Sequence, residues 1–223
     1  MNELTLIIPA KNEAESLPIV LNELKKYNYK TNIVLHATDI DTIQAIKKYE
    51  VNIVYQENFG YGDALIHGIK QCKTKYFCIF NADGSFNPSE IKKMHETLQA
   101  KKLDFIFASR YQASSGSEDD TIITLVGNYI FTYIGKIFFR LNISDILYTF
   151  VIGKTEQANI LDLRQKDFSF CVELPIKAKK MKMKLGCINS YERMRIAGKK
   201  KVNAFKDGFL ILKHMIRLFF IKL

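Results

Sequence analysis

Asn81-Ala82-Asp83-Gly84-Ser85 follows an apolar run that ends at Phe80. If that run is a strand, Asn81 and Asp83 point the same way, with small Ala82 between them. A carboxylate there can hold a hard divalent cation, Mg²⁺ or Mn²⁺, that bridges a diphosphate. Such a cation neutralises charge on a leaving nucleoside diphosphate. The same residues are also ordinary turn chemistry, Asp-Gly-Ser after a strand. A second segment, Tyr191-Glu192-Arg193-Met194-Arg195-Ile196-Ala197-Gly198-Lys199-Lys200-Lys201, is basic, with glycine in its middle. Arg grips phosphate through two parallel hydrogen bonds and Lys supplies a point charge. Its alternative is a solvated charged loop. A third segment, Asn58-Phe59-Gly60-Tyr61-Gly62-Asp63, is glycine-rich and opens a helix. It either lets backbone amides approach a phosphate or serves tight helix entry.

These segments need a scaffold. Residues 4–8, 33–35, 51–55, 76–80 and 103–108 read as strands, and residues 12–27, 42–49, 60–72 and 88–100 as helices between them. Such alternation predicts an α/β fold with a mostly parallel sheet flanked by helices. In an open parallel sheet, ligands bind beyond the carboxyl ends of the strands. Pro9-Ala10-Lys11-Asn12-Glu13, His36–Asp41, residues 81–85 and Ser109-Arg110-Tyr111 all fall there. The alternation stops near Arg110. Residues 112–120 read as a polar, acidic loop, and residues 122–139 as a helix apolar nearly all round. A further helix over 169–183, a strand over 185–191 and a basic amphipathic helix over 204–223 complete the chain.

Composition narrows the class. Of 223 residues, 48% are hydrophobic and 25% charged, which excludes disordered and fibrous chains. Cys72, Cys78, Cys171 and Cys187 form no C-x-x-C pair, so neither a zinc knuckle nor a disulfide scaffold is expected. Reduced thiols suit a cytoplasmic compartment. The net charge is +10, and the last 60 residues hold 16 basic against 4 acidic side chains, so that region should meet phosphate. No aromatic-interleaved basic motif supports nucleic acid as the partner. The N-terminus has no basic-then-apolar signal segment. The longest uncharged stretch, residues 121–135, falls short of the roughly 20 residues of a spanning helix. An interfacial helix is the expectation instead.

Together the motifs Ile8-Pro9-Ala10-Lys11-Asn12-Glu13, Asn58 to Gly68, Asn81-Ala82-Asp83-Gly84-Ser85, Ser109-Arg110-Tyr111 and Arg195-Ile196-Ala197-Gly198…Lys201-Val202 resemble the family 2 glycosyltransferases of GT-A type. The similarity is strongest to dolichyl-phosphate and polyprenyl-phosphate sugar transferases. The resemblance implies a GT-A domain over residues 1–202, with a basic amphipathic helix over 203–223. It places Pro9, Lys11 and Glu13 around the nucleoside, with Asn81 and Ala82 beside it. Asp83 becomes the metal and diphosphate ligand and Ser85 a further metal ligand. Arg110, Arg195 and Lys201 bind phosphates. The family usually has Asp-x-Asp at 81–83, and an Asp-Asp pair where His36-Ala37 stand. Asn81 carries no charge, so metal affinity should fall.

The implied reaction is inverting transfer of a sugar from a nucleotide-diphosphate sugar to a polyprenyl phosphate, with a divalent cation. A lipid phosphate is already ionised at neutral pH and needs no strong base. Asp145 is the one base candidate for a hydroxyl acceptor, and a helix or turn cap is its plainer role. The alternatives are a saccharide hydroxyl acceptor and a catalytically impaired nucleotide-binding scaffold. The basic, apolar C-terminus predicts peripheral attachment to an anionic membrane surface on its inner face. A homodimer is the other use for those apolar faces.

Overall fold

The computed structural model describes residues 3–198 and 201–221. Lys199 and Lys200 of the basic run, Lys222 and Leu223 of the C-terminus, and the first two residues lie outside the described residues.

In chain order the elements are β1 (Leu4–Pro9), α1 (Leu17–Leu24), β2 (Lys30–Leu35), α2 (Ile40–Ile46), β3 (Asn52–Tyr55), α3 (Tyr61–Lys70), β4 (Tyr76–Ile79), α4 (Glu90–Ala100) and β5 (Phe105–Ser109). There follow β6 (Gly116–Ser117), α5 (Ile122–Phe139), β7 (Val151–Lys154), α6 (Thr155–Ile160), α7 (Phe170–Lys180), β8 (Leu185–Asn189), β9 (Tyr191–Glu192) and α8 (Ala204–Phe220). Seven strands form one sheet in the order β3-β2-β1-β4-β7-β5-β8, and β6 pairs with β9 apart from it. All neighbours in the large sheet are parallel except β7, which runs antiparallel to both β4 and β5.

Strand alternation feeds two cores. Leu6 and Ile8 of β1, with Cys78 of β4, face Leu17, Val20 and Leu21 of α1 and Met94 and Leu98 of α4. Ile7, Phe77 and Ile79 face α3 and the α5–α8 layer through Leu65, Phe139, Val172, Ile211, Met215 and Leu218. Burial on both faces explains why these strands read as continuous apolar runs. The β7 strand and α6 are not in the sequence reading. Gly153 sits where a Cβ would lie 2.4 Å from Phe105, so the missing side chain lets Phe77 and Phe105 close over β7.

Helix ends follow their capping chemistry. Asp39 accepts from the Thr42 N–H at the start of α2, and Asn203 accepts from the Lys206 N–H at the start of α8. Thr121 and Thr124 form a reciprocal capping box on α5. The α5 helix runs 18 residues, past the uncharged stretch and through Lys136, which is exposed. By length and composition it is therefore long and apolar enough to cross a membrane, contrary to the shorter span read from the sequence.

Candidate active site

Order β3-β2-β1-β4 means the chain leaves β1 in one direction and returns on its other side at β4. Such a reversal opens a crevice at the carboxyl ends of the two strands. The loop after β1 and the turn at 81–85 flank it. The turn rests on an aromatic cluster: Phe86 stacks on Phe150 with ring centroids 4.7 Å apart, and Phe80 meets both rings edge-on. The Ser85 N–H donates to Asp83 Oδ1 at 3.0 Å, and Asn81 Nδ2 donates to Ser85 Oγ at 3.3 Å. The other Asp83 oxygen, Oδ2, lies 3.7 Å from Arg195 Nη1.

The chain after β9 crosses directly over this turn. The Arg193 N–H donates to the Ser85 carbonyl and the Ile196 N–H to the Asp83 carbonyl, both at 2.8 Å. Gly84 has φ +83°, and a Cβ there would lie 2.4 Å from Ile196, so both conformation and space require glycine. Arg193 is clamped by Glu23 at 2.9 and 3.0 Å. Arg195 donates to Asp119 Oδ2 at 2.7 Å. That hydrogen bond, opposed by partial burial and reinforced by Asp83, pushes the Arg195 pKa up. Lys201 pairs with Glu13. Glu13 is buried, accepts from Ser16 Oγ at 2.5 Å and donates its backbone N–H to Thr42 Oγ1 at 2.9 Å.

The structure thus gathers Asn81, Ala82, Asp83, Ser85, Arg195, Lys201 and Glu13 around one crevice. Pro9 ends β1 and is half-buried, while Lys11 is exposed on the loop beyond it. Arg110 is placed differently from the phosphate ligand expected of it. It is only 8% exposed, and Asp145 grips it through Nε at 2.7 Å and Nη2 at 3.1 Å. Glu192 accepts from Nη1 at 3.0 Å, Asp120 lies 3.5 Å away, and the Tyr111 and Tyr148 rings cover the guanidinium. Burial opposes the charge, but Asp145 and then Glu192 hold the Arg110 pKa above its ordinary value. Burial also pushes the Glu192 carboxyl up, against the pull of Arg110. Asp145, the base candidate, is fully buried in this network.

The glycine-rich segment is a packing device. A Cβ on Gly60 or Gly62 would lie 2.1 Å from the carbonyl of Lys166 or Gln165, so these glycines admit the backbone of 165–167. Missing from the sequence reading were Asp119, Asp120 and Glu192. Their only signal was an acidic stretch before an apolar helix and a lone Glu among basic residues.

Among the described residues no group of three or more His, Cys, Asp or Glu could hold a metal. The turn itself offers one carboxylate, Asp83, with the Asn81 amide and the buried Ser85 hydroxyl beside it, while Glu13 and Asp119 are engaged by Lys201 and Arg195. That set fits a divalent cation shared with substrate phosphate oxygens, not a cage built by protein alone.

Two apolar helices start at the rim. The α5 helix begins directly beyond Asp119 and Asp120, and α8 soon after Lys201. They pack on each other and bury Phe139, Ile211, Met215 and Leu218. Outward they expose Ile122, Ile123, Val126, Ile130, Tyr133 and Phe138 on α5, and Phe205, Phe209, Ile216 and Phe220 on α8. Lys206, Lys213 and Arg217 are exposed among these.

Comparison with known proteins agrees with this architecture. The family model described as glycosyl transferase family 2 matches residues 5–158. An uncharacterized protein of Methanocaldococcus jannaschii is 28% identical over 192 residues, covering 82% of this chain and 79% of that protein. The UDP-N-acetylglucosamine–dolichyl-phosphate N-acetylglucosaminyltransferase of Methanococcus voltae is 25% identical over 205 residues, covering 81% of this chain and 82% of its own. Among solved structures, the glucosyl-3-phosphoglycerate synthase of Mycobacterium tuberculosis, in complex with Mn²⁺, UDP and phosphoglyceric acid, superposes with a TM-score of 0.70. That match covers 99% of this chain and 79% of the other at 12% identity, which speaks for the fold alone.

Proposed function

We infer the reaction from one premise: the chain belongs to glycosyl transferase family 2 and is a glycosyltransferase of GT-A fold. The donor is a nucleotide-diphosphate sugar, with its diphosphate at the Asp83 turn. When bound, a divalent cation held by Asp83, with Asn81 and Ser85 beside it, supplies positive charge to the departing diphosphate. Arg195 and Lys201 exchange their carboxylate partners for phosphate oxygens. Glu13 and Asp119 hold these cations in place until then. Arg110 fixes the walls around them through Asp145 and Glu192.

The acceptor is a polyprenyl phosphate. The observation that carries this is the pair of apolar helices whose first turns lie at the crevice rim. They offer a lipid chain a path that ends with its phosphate near Arg195. A phosphate oxygen is an ionised nucleophile at neutral pH, so transfer reduces to positioning two anions and neutralising them. Residues 203–223 then work as the membrane-facing part of the unit formed by residues 1–202. Each Lys or Arg near an anionic leaflet contributes about 1 kcal/mol, which suits peripheral attachment at the inner face.

The test is incubation with radiolabelled sugar nucleotides and a polyprenyl phosphate, beside the matching polyprenol. Label in lipid only with the phosphate supports the reading. Label with the polyprenol or a saccharide, and none with the phosphate, replaces it by a hydroxyl-acceptor enzyme. Asp119 favours that second reading, because the structure brings a carboxylate to the rim.

A further inference from the structure

The far end of the sheet carries a surface that the sugar chemistry leaves unused. The last strand is β8, and among the described residues it pairs with β5 alone. The Phe105 N–H donates to the Lys184 carbonyl at 3.3 Å, and the Ser190 N–H to the Ser109 carbonyl at 2.9 Å. Even-numbered residues of β8 thus turn their backbone groups toward β5. By alternation, Leu185, Cys187 and Asn189 turn theirs outward. Edge strands are ordinarily blunted by charge, by proline or by a covering segment. Leu185-Gly186-Cys187-Ile188-Asn189 holds neither charge nor proline.

Open space lies over this edge. A cavity of about 340 Å³ adjoins Leu185, Gly186 and Cys187, and a second of about 210 Å³ adjoins residues 188–191. One wall is α4, which lends Lys93, Met94, Thr97 and Lys101. These positions recur every three or four residues and so form one stripe of the helix. The other wall holds Lys136, Asn142 and Ser144, with Gln112 and Ser114 from the loop after β5. That wall is braced: Gln112 Nε2 donates to Ser144 Oγ at 2.8 Å, and the Asn189 side-chain amide donates to the Ala113 carbonyl. The two cavities share α4 and follow one another along β8, so they make a groove with the strand as its floor. From Leu185 to Tyr191 that floor is about 20 Å long, at about 3.3 Å per residue.

Charge selects the occupant. Lys93, Lys101 and Lys136 are exposed on the walls. Among the described residues Glu90 is the one acid that lines either cavity. Its carboxylate already accepts from Ser190 Oγ at 2.6 Å and from the Tyr191 N–H at 3.1 Å. A second copy of this edge would bring the same lysines against these and its own α4 against this one. A single extended chain that carries carboxylates meets neither obstacle. In strand addition, main-chain hydrogen bonds supply affinity and alternate side chains supply selectivity.

We propose that the β8 groove binds an extended, acidic segment of a partner protein, which joins the sheet as a further strand beside β8. The groove lies three strands from β4, about 14 Å at about 4.8 Å per strand, so the crevice at Asp83 stays open while the groove is filled.

The experiment is fluorescence anisotropy with three capped seven-residue peptides. The first alternates Glu and Val, and the second has Lys in place of each Glu. The third repeats the acidic peptide with every backbone nitrogen methylated, which keeps the charge and removes the donors. The acidic peptide should bind, and the basic and methylated ones should bind at least about 10-fold more weakly. Lys101→Glu with Lys136→Glu alters two exposed side chains and should weaken the acidic peptide by about 10-fold, with a thermal melt to confirm the fold. No binding of the acidic peptide, or equal binding of its methylated form, would overturn the proposal. A dimer in sedimentation velocity that the acidic peptide dissociates would overturn it as well, and give the edge to a second copy of the chain.

Discussion

The two ends of the sheet are held in different ways. From β3 to β4 the strands are parallel and the loops beyond them are fixed by backbone bonds to nearby groups, as where the Asn12 N–H donates to Asp39 at 2.7 Å. From β7 to β8 an antiparallel strand intervenes, and the loops are organised by one buried cation, Arg110, among acidic side chains from distant segments. The first end is a shelf of backbone hydrogen bonds, covered by the 193–196 segment on the Asp83 turn and by Lys201 on Glu13. The second is an electrostatic assembly joined to two apolar helices. A donor needs a preformed shelf, whereas an acceptor arriving from a membrane needs a wall that continues into a lipid-facing surface. The difference matches the division of labour proposed for the two substrates.

Substitutions can break or sharpen that contrast. Asp83→Ala, at the seam between the two ends, should lower turnover by about 100-fold or more with the fold intact, measured as labelled lipid beside a thermal melt. Full activity in this variant would remove the crevice from the reaction. Arg110→Met leaves Asp145 and Glu192 as buried, unpaired carboxylates and should cost about 3–5 kcal/mol in a denaturant titration. Lys11→Met on the opposite end is exposed and should stay within about 0.5 kcal/mol of wild type.

Phe205→Glu with Phe209→Glu alters side chains that are 82% and 69% exposed, so stability should barely change. Sedimentation with phosphatidylglycerol-containing vesicles should nevertheless fall severalfold, whereas Ile19→Glu on α1 should leave it unchanged. Equal loss in both would deny α8 a special role. The smallest effect concerns His214, buried between α8 and α7. Burial lowers its pKa, Glu173 opposes this, and Lys177 and Arg217 reinforce it. The unfolded chain therefore takes up the proton more readily, so stability is present above about pH 6.5 and falls as pH drops toward the lower folded value. Protection factors in α8, which correct for the slower intrinsic exchange in acid, should fall in mild acid, and His214→Gln should flatten that dependence.

Legibility in the sequence followed the same divide. At the shelf end, β1 through α4 were readable because each strand is an apolar run and each helix a 3.6-residue pattern set by its own residues. The Asp83 turn and the basic segment were readable as chemistry, whereas their meeting was implied only by the family resemblance, since β8, which leads into the basic segment, lies three strands from β4. The β7 strand was not, because Val151–Lys154 is four residues long and its place between β4 and β5 depends on pairing with residues about 45 to 75 positions away. Arg110 was misjudged for a related reason. Its partners Asp145 and Glu192 stand 35 and 82 residues along the chain, and no local pattern records that a cation is already satisfied.

The late arrival of β7 has a consequence for biosynthesis. Once β4 has left the ribosome, the nascent chain can pair four strands, yet the outer edge of β4 stays bare until Val151 emerges. At about 5–20 residues per second that wait is on the order of 4–14 s. Throughout it, an unpatched ribbon of Phe77, Cys78 and Ile79 is open to other polypeptides. Translation speed between these two strands therefore bears on the yield of soluble protein, and slowing it should favour aggregation before the catalytic unit is complete.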